Sequence, residues 1–143
     1  MKKFRFALEG LERVRRQAVR EEEIRLAERL QMERTVRSER DRVEGILVRS
    51  DLERPEGDAS ALSIWEIRRQ WLREEIGRLD GEVTRANEAT SFQRGRLEDA
   101  ERRRQVVDRI RERQRLEYVR EMLKEEQREL DEIAGQADYR KAA

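Results

Sequence analysis

The sequence predicts an all-α fold, two long helices forming an antiparallel coiled-coil hairpin that takes up residues 1–143, with the second helix longer and overhanging the first. Three observations predict it. Charged residues make up 47% of the chain and hydrophobic ones only 36%, too little apolar surface for a globular core. Disorder would also lower hydrophobicity, but here the apolar residues recur three and four apart within runs of Arg, Glu, Leu and Ala, which favours long helices. The single proline, Pro55, falls between two such stretches.

The first helix is expected over about residues 4–51. Leu8, Leu11 and Val14 or Ala18 open its apolar face, and Leu26, Leu30, Val36, Val43 and Leu47 continue it. Arg15, Glu22, Glu33 and Arg40 stand where a strict coiled coil places leucine, so a thin seam that drifts around the helix is expected. The turn is DLERPEGDASALS, about residues 52–62. Pro55 lacks a donor and disfavours helical geometry at Arg54, Gly57 adds freedom, and Ser63 with Glu66 forms a capping box.

The second helix is expected over about residues 63–140. Steps of three and four from Leu62 give Trp65, Arg69, Leu72, Ile76, Leu79, Val83, Ala86, Thr90, Gln93, Leu97, Ala100, Arg104 and Val107, and most of these are apolar. Beyond Val107 the series restarts at Leu116, Val119, Leu123, Glu126, Leu130, Ile133 and Ala137, so the apolar face rotates. Counting outward from Pro55 sets Leu47 beside Leu62 and Phe4 near Ile110, leaving roughly thirty residues of the second helix without a partner. Such an overhang needs another chain, a dimer mate or its own N-terminal segment to cover its stripe.

Charge and composition exclude several function classes. Lys and Arg number 34 and Asp and Glu 33, a formal charge of +1, so no general field attracts a polyanion. Apart from Lys2, Lys3, Lys124 and Lys141, every base is arginine, suited to pairing with carboxylates at about 0.2 to 0.5 kcal/mol per exposed pair. Arg102, Arg103, Arg104, Arg109, Arg111, Arg113 and Arg115 form the strongest candidate for nucleic acid, but Glu98, Asp99, Glu101, Asp108 and Glu112 are interleaved with them. No nucleic-acid partner is expected. Cys and His are absent, which removes disulfides, nucleophile triads and metal sites built on those ligands. Gly77 and Gly81 in IGRLDG have no lysine behind them, so no phosphate loop forms. Carboxylate neighbours such as Asp131 and Glu132 have no pocket to desolvate them. The expectation is a non-enzyme without cofactor, metal or small-molecule ligand. The two N-terminal lysines precede no apolar run of signal-peptide length, and no membrane-spanning stretch occurs, so a cytoplasmic chain is expected.

Side chains off the seam are candidates for partners. Trp65 lies on it, near the turn, whereas Trp71 beside Leu72 and Phe92 beside Gln93 fall outside. Phe4 and Phe6, two apart, cannot share a helical face, so one packs while the other caps, frays or binds. Around LKEEQRELDEIA, the six acids from Glu121 to Glu132 face only the bases Lys124 and Arg128, beside leucines seven apart.

FRFALEGLERVRRQ at the start and EQRELDE near the end resemble the FliJ family, a soluble component of the bacterial flagellar type III export apparatus. The resemblance spans essentially the whole chain. It rests on Phe4, Phe6, Leu8 and Leu11 at one end and on Glu126, Gln127, Arg128, Leu130, Asp131 and Glu132 at the other; Arg128 stands where the family commonly has lysine. The resemblance implies a coiled coil similar to the central stalk of rotary ATP synthases, entering the pore of the hexameric export ATPase and promoting its assembly or activity. It further implies contacts with the cytoplasmic part of the membrane-embedded export gate and with substrate chaperones, at the inner face of the cell membrane beneath the flagellum. On this reading the ATPase meets Phe4, Phe6, Leu8, Leu11, Leu123, Glu126, Gln127, Arg128, Leu130, Asp131 and Glu132, and the gate meets Leu47, Trp65, Trp71 and Leu72. Two other readings stand beside it: a homodimeric coiled-coil spacer or tether, and the equivalent stalk of a virulence secretion system.

Overall fold

The structure, a computed structural model, describes residues 2–143. It is an all-α helical hairpin. Helix α1, Glu9–Leu52, packs against helix α2, Ala59–Ala142, and no strand occurs among the described residues. Contacts gather into two units: Arg20–Asp99, and the described residues up to Val19 with Ala100–Ala143.

In the unit Arg20–Asp99 the turn is shorter than the sequence suggested. Helix α1 stops at Leu52, because Pro55 disfavours helical geometry in the residue before it. Gly57, with φ 81°, then takes the left-handed conformation that a side chain resists. Helix α2 begins before the expected residue 63, and the Ser63/Glu66 capping box gives way to Asp58. The Asp58 carboxylate accepts from the Ser60 N–H at 3.0 Å and its carbonyl from the Leu62 N–H at 3.0 Å. A carboxylate cap also complements the positive end of the helix dipole, an advantage serine lacks. Ser63 instead donates to the Ala59 carbonyl at 3.0 Å.

Val43, Leu72 and Leu79, each 3% exposed or less, form the apolar core, with Ile46, Leu47 and Ile76 packed against it. Farther along, the seam is polar. Glu22, Leu26, Glu33, Val36, Arg40, Val43, Leu47 and Ser50 stay on one repeat of 3.5 residues and none is fully exposed. Between Leu26 and Glu33 the repeat slips by one residue, Arg29 exposed and Leu30 half-buried, and then returns, so no sustained drift occurs. The reason is pairing across the helices, which removes the cost that would turn these polar side chains outward. Gln93 donates to the Glu22 carboxylate, and to its carbonyl at 3.3 Å; Arg40 meets Asp80 at 2.8 Å; Arg69 pairs with Asp51; and the Trp65 indole N–H donates to the Ser50 carbonyl at 2.8 Å. The Gln93 hydrogen bond, aided by Arg96 and Arg25, holds the Glu22 carboxyl below its ordinary range against the desolvation that pushes it up.

In the other unit α1 begins at Glu9 rather than near residue 4. Residues 2–6 are not helical, and this resolves the placement of the two phenylalanines. Two residues apart, they would point to different sides of a helix, whereas an extended segment can turn both to the same side. Phe6 is buried with the Arg111 guanidinium 6.0 Å above its ring, and Phe4 packs on Tyr118 with centroids 5.6 Å apart. The Tyr118 hydroxyl donates to the Lys2 carbonyl. Phe4 therefore lies opposite Tyr118, not Ile110. A non-helical chain advances up to about 3.3 Å per residue against 1.5 Å in a helix, which carries the N-terminus some two turns farther along α2.

Leu8, Leu11 and Val14, expected on the seam, are 37%, 38% and 61% exposed. The inward position falls to Glu12, 4% exposed, whose Oε1 bonds Arg16 at 2.7 Å and Arg111 at 2.6 Å. Val19 and Val107 complete the buried apolar side chains of this unit with Phe6.

Candidate partner-binding surfaces

Within the unit containing both termini, the inward side of α2 continues from Val107 through Gln114, Tyr118 and Met122, all half-buried. Leu116 and Val119 fall out of phase with these positions. A step of two residues turns a helix by about 200°, so Leu116 faces nearly opposite to Gln114 and Tyr118. Leu116 and Val119 remain 46% and 40% exposed although the N-terminal segment still covers α2 at Tyr118. From Leu123 to Ala143 every residue is exposed, and the stripe continues with Leu123, Leu130 and Ile133 at 59%, 61% and 63%. The overhang expected from helix lengths is present, but it starts later because the N-terminal segment reaches farther.

Carboxylates surround this stripe. Glu121 takes a hydrogen bond from Lys124 at 2.9 Å, which lowers its pKa, and Asp131 accepts from Gln127 at 2.9 Å. Glu125, Glu126, Glu129 and Glu132 are exposed. Of the residues expected to meet an ATPase, Leu123, Glu126, Gln127, Arg128, Leu130, Asp131 and Glu132 share this exposed helix end. Phe4 and Phe6 instead anchor the N-terminal segment, and Leu8 and Leu11 lie at its edge, partly exposed.

In the unit Arg20–Asp99, the residues expected to meet a gate divide. Leu72 and Leu47 belong to the core, because both stand on the 3.5-residue seam. Trp65 is half-buried, with Arg69 at 4.6 Å and Arg54 at 5.7 Å over its ring. Only Trp71, 59% exposed, presents a broad apolar surface. Ile64 and Ile67, 69% and 68% exposed, precede it at spacings of three and four on the outer face of α2. Sequence reasoning missed them, although their helical spacing to Trp71 was available as a second stripe opposite the seam.

A shallow groove lies between α1 and α2 in the same unit. Met32 and Phe92, 57% and 71% exposed, form its apolar part beside Ala89, and Arg25, Arg29 and Arg96 line it with one carboxylate, Glu28. Arg25 and Arg96 both approach the single buried carboxylate of Glu22, at 2.9 and 3.6 Å. Phe92 stood out in the sequence; Met32 did not, because only packing sets the two side by side.

Among the described residues no helix is long and apolar enough to cross a membrane. No curated protein and no solved structure matches the chain. The family model described as flagellar FliJ protein matches residues 4–143, a span that holds both the anchored N-terminal segment and the bare acidic end of α2. The chain therefore belongs to the FliJ family.

Proposed function

We propose that the chain is a non-enzymatic, cytoplasmic component of the flagellar type III export apparatus, working at the inner face of the membrane. The end of α2 docks in the hexameric export ATPase and promotes ring assembly or turnover, while the outer face near the turn meets the export gate or substrate chaperones. ATP belongs to the ATPase. The observation that carries this reading is the bare end of α2, where Leu123, Leu130 and Ile133 repeat at coiled-coil spacing among carboxylates with no covering segment. Interfaces combine an apolar centre with charged surroundings that set orientation and encounter rate, and this helix end has both. Trp71 with Ile64 and Ile67 supports the gate or chaperone contact, since tryptophan is a frequent anchor in interfaces.

The test adds the purified chain to its cognate ATPase and follows phosphate release, ring formation and co-elution. Stimulation and co-elution are expected, with both reduced in a variant carrying Glu126→Lys, Asp131→Lys and Glu132→Lys. If the chain neither stimulates nor co-elutes, the ATPase reading is wrong; if the variant stimulates fully, the helix end is not the contact.

A further inference from the structure

The Met32/Phe92 groove and the end of α2 have complementary chemistry. The groove offers an exposed methionine and an exposed aromatic ring ringed by Arg25, Arg29 and Arg96 against one Glu28, and two of those guanidiniums share a single carboxylate, so positive charge is in excess. The end of α2 offers an aliphatic stripe in a segment where six acids outnumber two bases. We propose that the groove receives the α2 tip of a second copy of this chain, in a head-to-tail contact.

Charge decides against the simpler pairing of two tips with each other. Aligned tips would set carboxylates against carboxylates and leave Glu126 inside the shared stripe, whereas the groove supplies arginine for those acids and a methionine that adapts to leucine. The tip is already helical to Ala142, so docking orders little additional chain. Because the contact joins two different surfaces, copies either exchange tips in a closed pair or ring or add end to end, and in both cases mass rises with concentration. It goes beyond the ATPase reading, and competes with it: a tip gripped by the ATPase is not free to enter a groove.

The experiment is sedimentation velocity on the full chain over a concentration series, at low and high salt. Mass is expected to grow with concentration and to fall back with salt, since the pairs that guide the contact are exposed. Phe92→Ala with Arg29→Glu spoils the groove, and Leu130→Ala with Glu129→Lys spoils the tip; all four positions except Arg29 and Glu129 lose only exposed apolar surface, so folding is retained and is checked by helical circular dichroism. Each variant alone is expected to associate at least tenfold more weakly than the parent. Mixing the two is expected to restore a dimer and no larger species, because one chain keeps an intact groove and the other an intact tip. A parent chain that stays monomeric overturns the proposal, as do variants that associate like the parent, or a mixture that fails to restore the dimer, which is the result an isologous contact or an unrelated partner for the groove would give. The groove variant is expected to stimulate the ATPase as the parent does, so failure of this proposal and failure of the ATPase reading give different results.

Discussion

Trp71→Ala and Leu72→Ala, one residue apart, should have opposite consequences. Leu72 is 3% exposed and is one of three buried side chains in the apolar core, so truncation removes packing from a cluster that has little else. Buried leucine to alanine costs about 2 to 5 kcal/mol, and in a two-helix layer, where the gap opens toward solvent, the lower half of that range applies. A loss of about 2 to 3 kcal/mol lowers the melting temperature by roughly 6 to 15 °C. Trp71 is 59% exposed, and its loss should cost under about 1 kcal/mol, because surface truncations seldom exceed that. The assays are thermal melting by helical circular dichroism and co-elution with the cytoplasmic part of the export gate at a temperature where both variants are folded. Trp71→Ala should lose gate binding with stability intact; Leu72→Ala should retain binding while folded. Equal destabilisation would refute the assignment of Leu72 to the core and Trp71 to the surface, and full gate binding by Trp71→Ala would remove this face from the gate contact.

Other outcomes follow from single contacts. Glu22, Glu39 and Glu75 are held below the ordinary 4.5, chiefly by hydrogen bonds from Gln93, Arg42 and Arg78. Their stabilisation is complete above that value and is lost as pH falls through it toward their lowered values, so the melting temperature should stay level through neutrality and drop in acid; a melting temperature unchanged well below pH 4.5 would contradict this. Gly77→Ala meets no atom within 4 Å and sits in a helix, so it should raise stability by about 0.5 to 1 kcal/mol in a denaturant titration. Trp65→Phe removes the indole donor from the Ser50 carbonyl and should lower stability by about 1 kcal/mol in the same titration.

The α2 seam was legible because its repeat is dominated by apolar residues: all the positions from Leu62 to Val107 chosen by steps of three and four are buried or half-buried. The α1 seam was half legible. Its spacing was visible at Arg15, Glu22, Glu33 and Arg40, but that these stay inward depends on partners such as Gln93 and Asp80 some forty to seventy positions away, which one strand of sequence does not reveal. The N-terminal segment departs from the helix its sequence predicts for a local reason: nothing in FRFALEG forbids a helix, and only the docking of both rings on α2 selects the other conformation. At the candidate surfaces, the end of α2 was readable from the shift of its apolar series, whereas the Met32/Phe92 groove exists only once two helices are side by side.

The energetics of the α2 tip indicate that neither its leucines nor its acids suffice alone. Fully burying an aliphatic side chain stabilises by about 1.5 to 3 kcal/mol, and Leu116, Val119, Leu123, Leu130 and Ile133 keep roughly half of their surface to bury, which gives on the order of 4 to 8 kcal/mol in all. Association costs about 4 to 15 kcal/mol in lost freedom before any side chain is ordered. The stripe by itself therefore supports weak binding at most, even for a helix that is already formed. Exposed ion pairs at about 0.2 to 1 kcal/mol each cannot replace it, but several of them, desolvated at the rim of an apolar contact, can close the difference. Leu123→Ala with Leu130→Ala and the charge reversal at Glu126, Asp131 and Glu132 should thus each abolish ATPase co-elution at micromolar protein. Salt should weaken the parent's binding through encounter rate. If either variant binds as the parent does, one of the two contributions is dispensable and the partition argued from exposure is wrong.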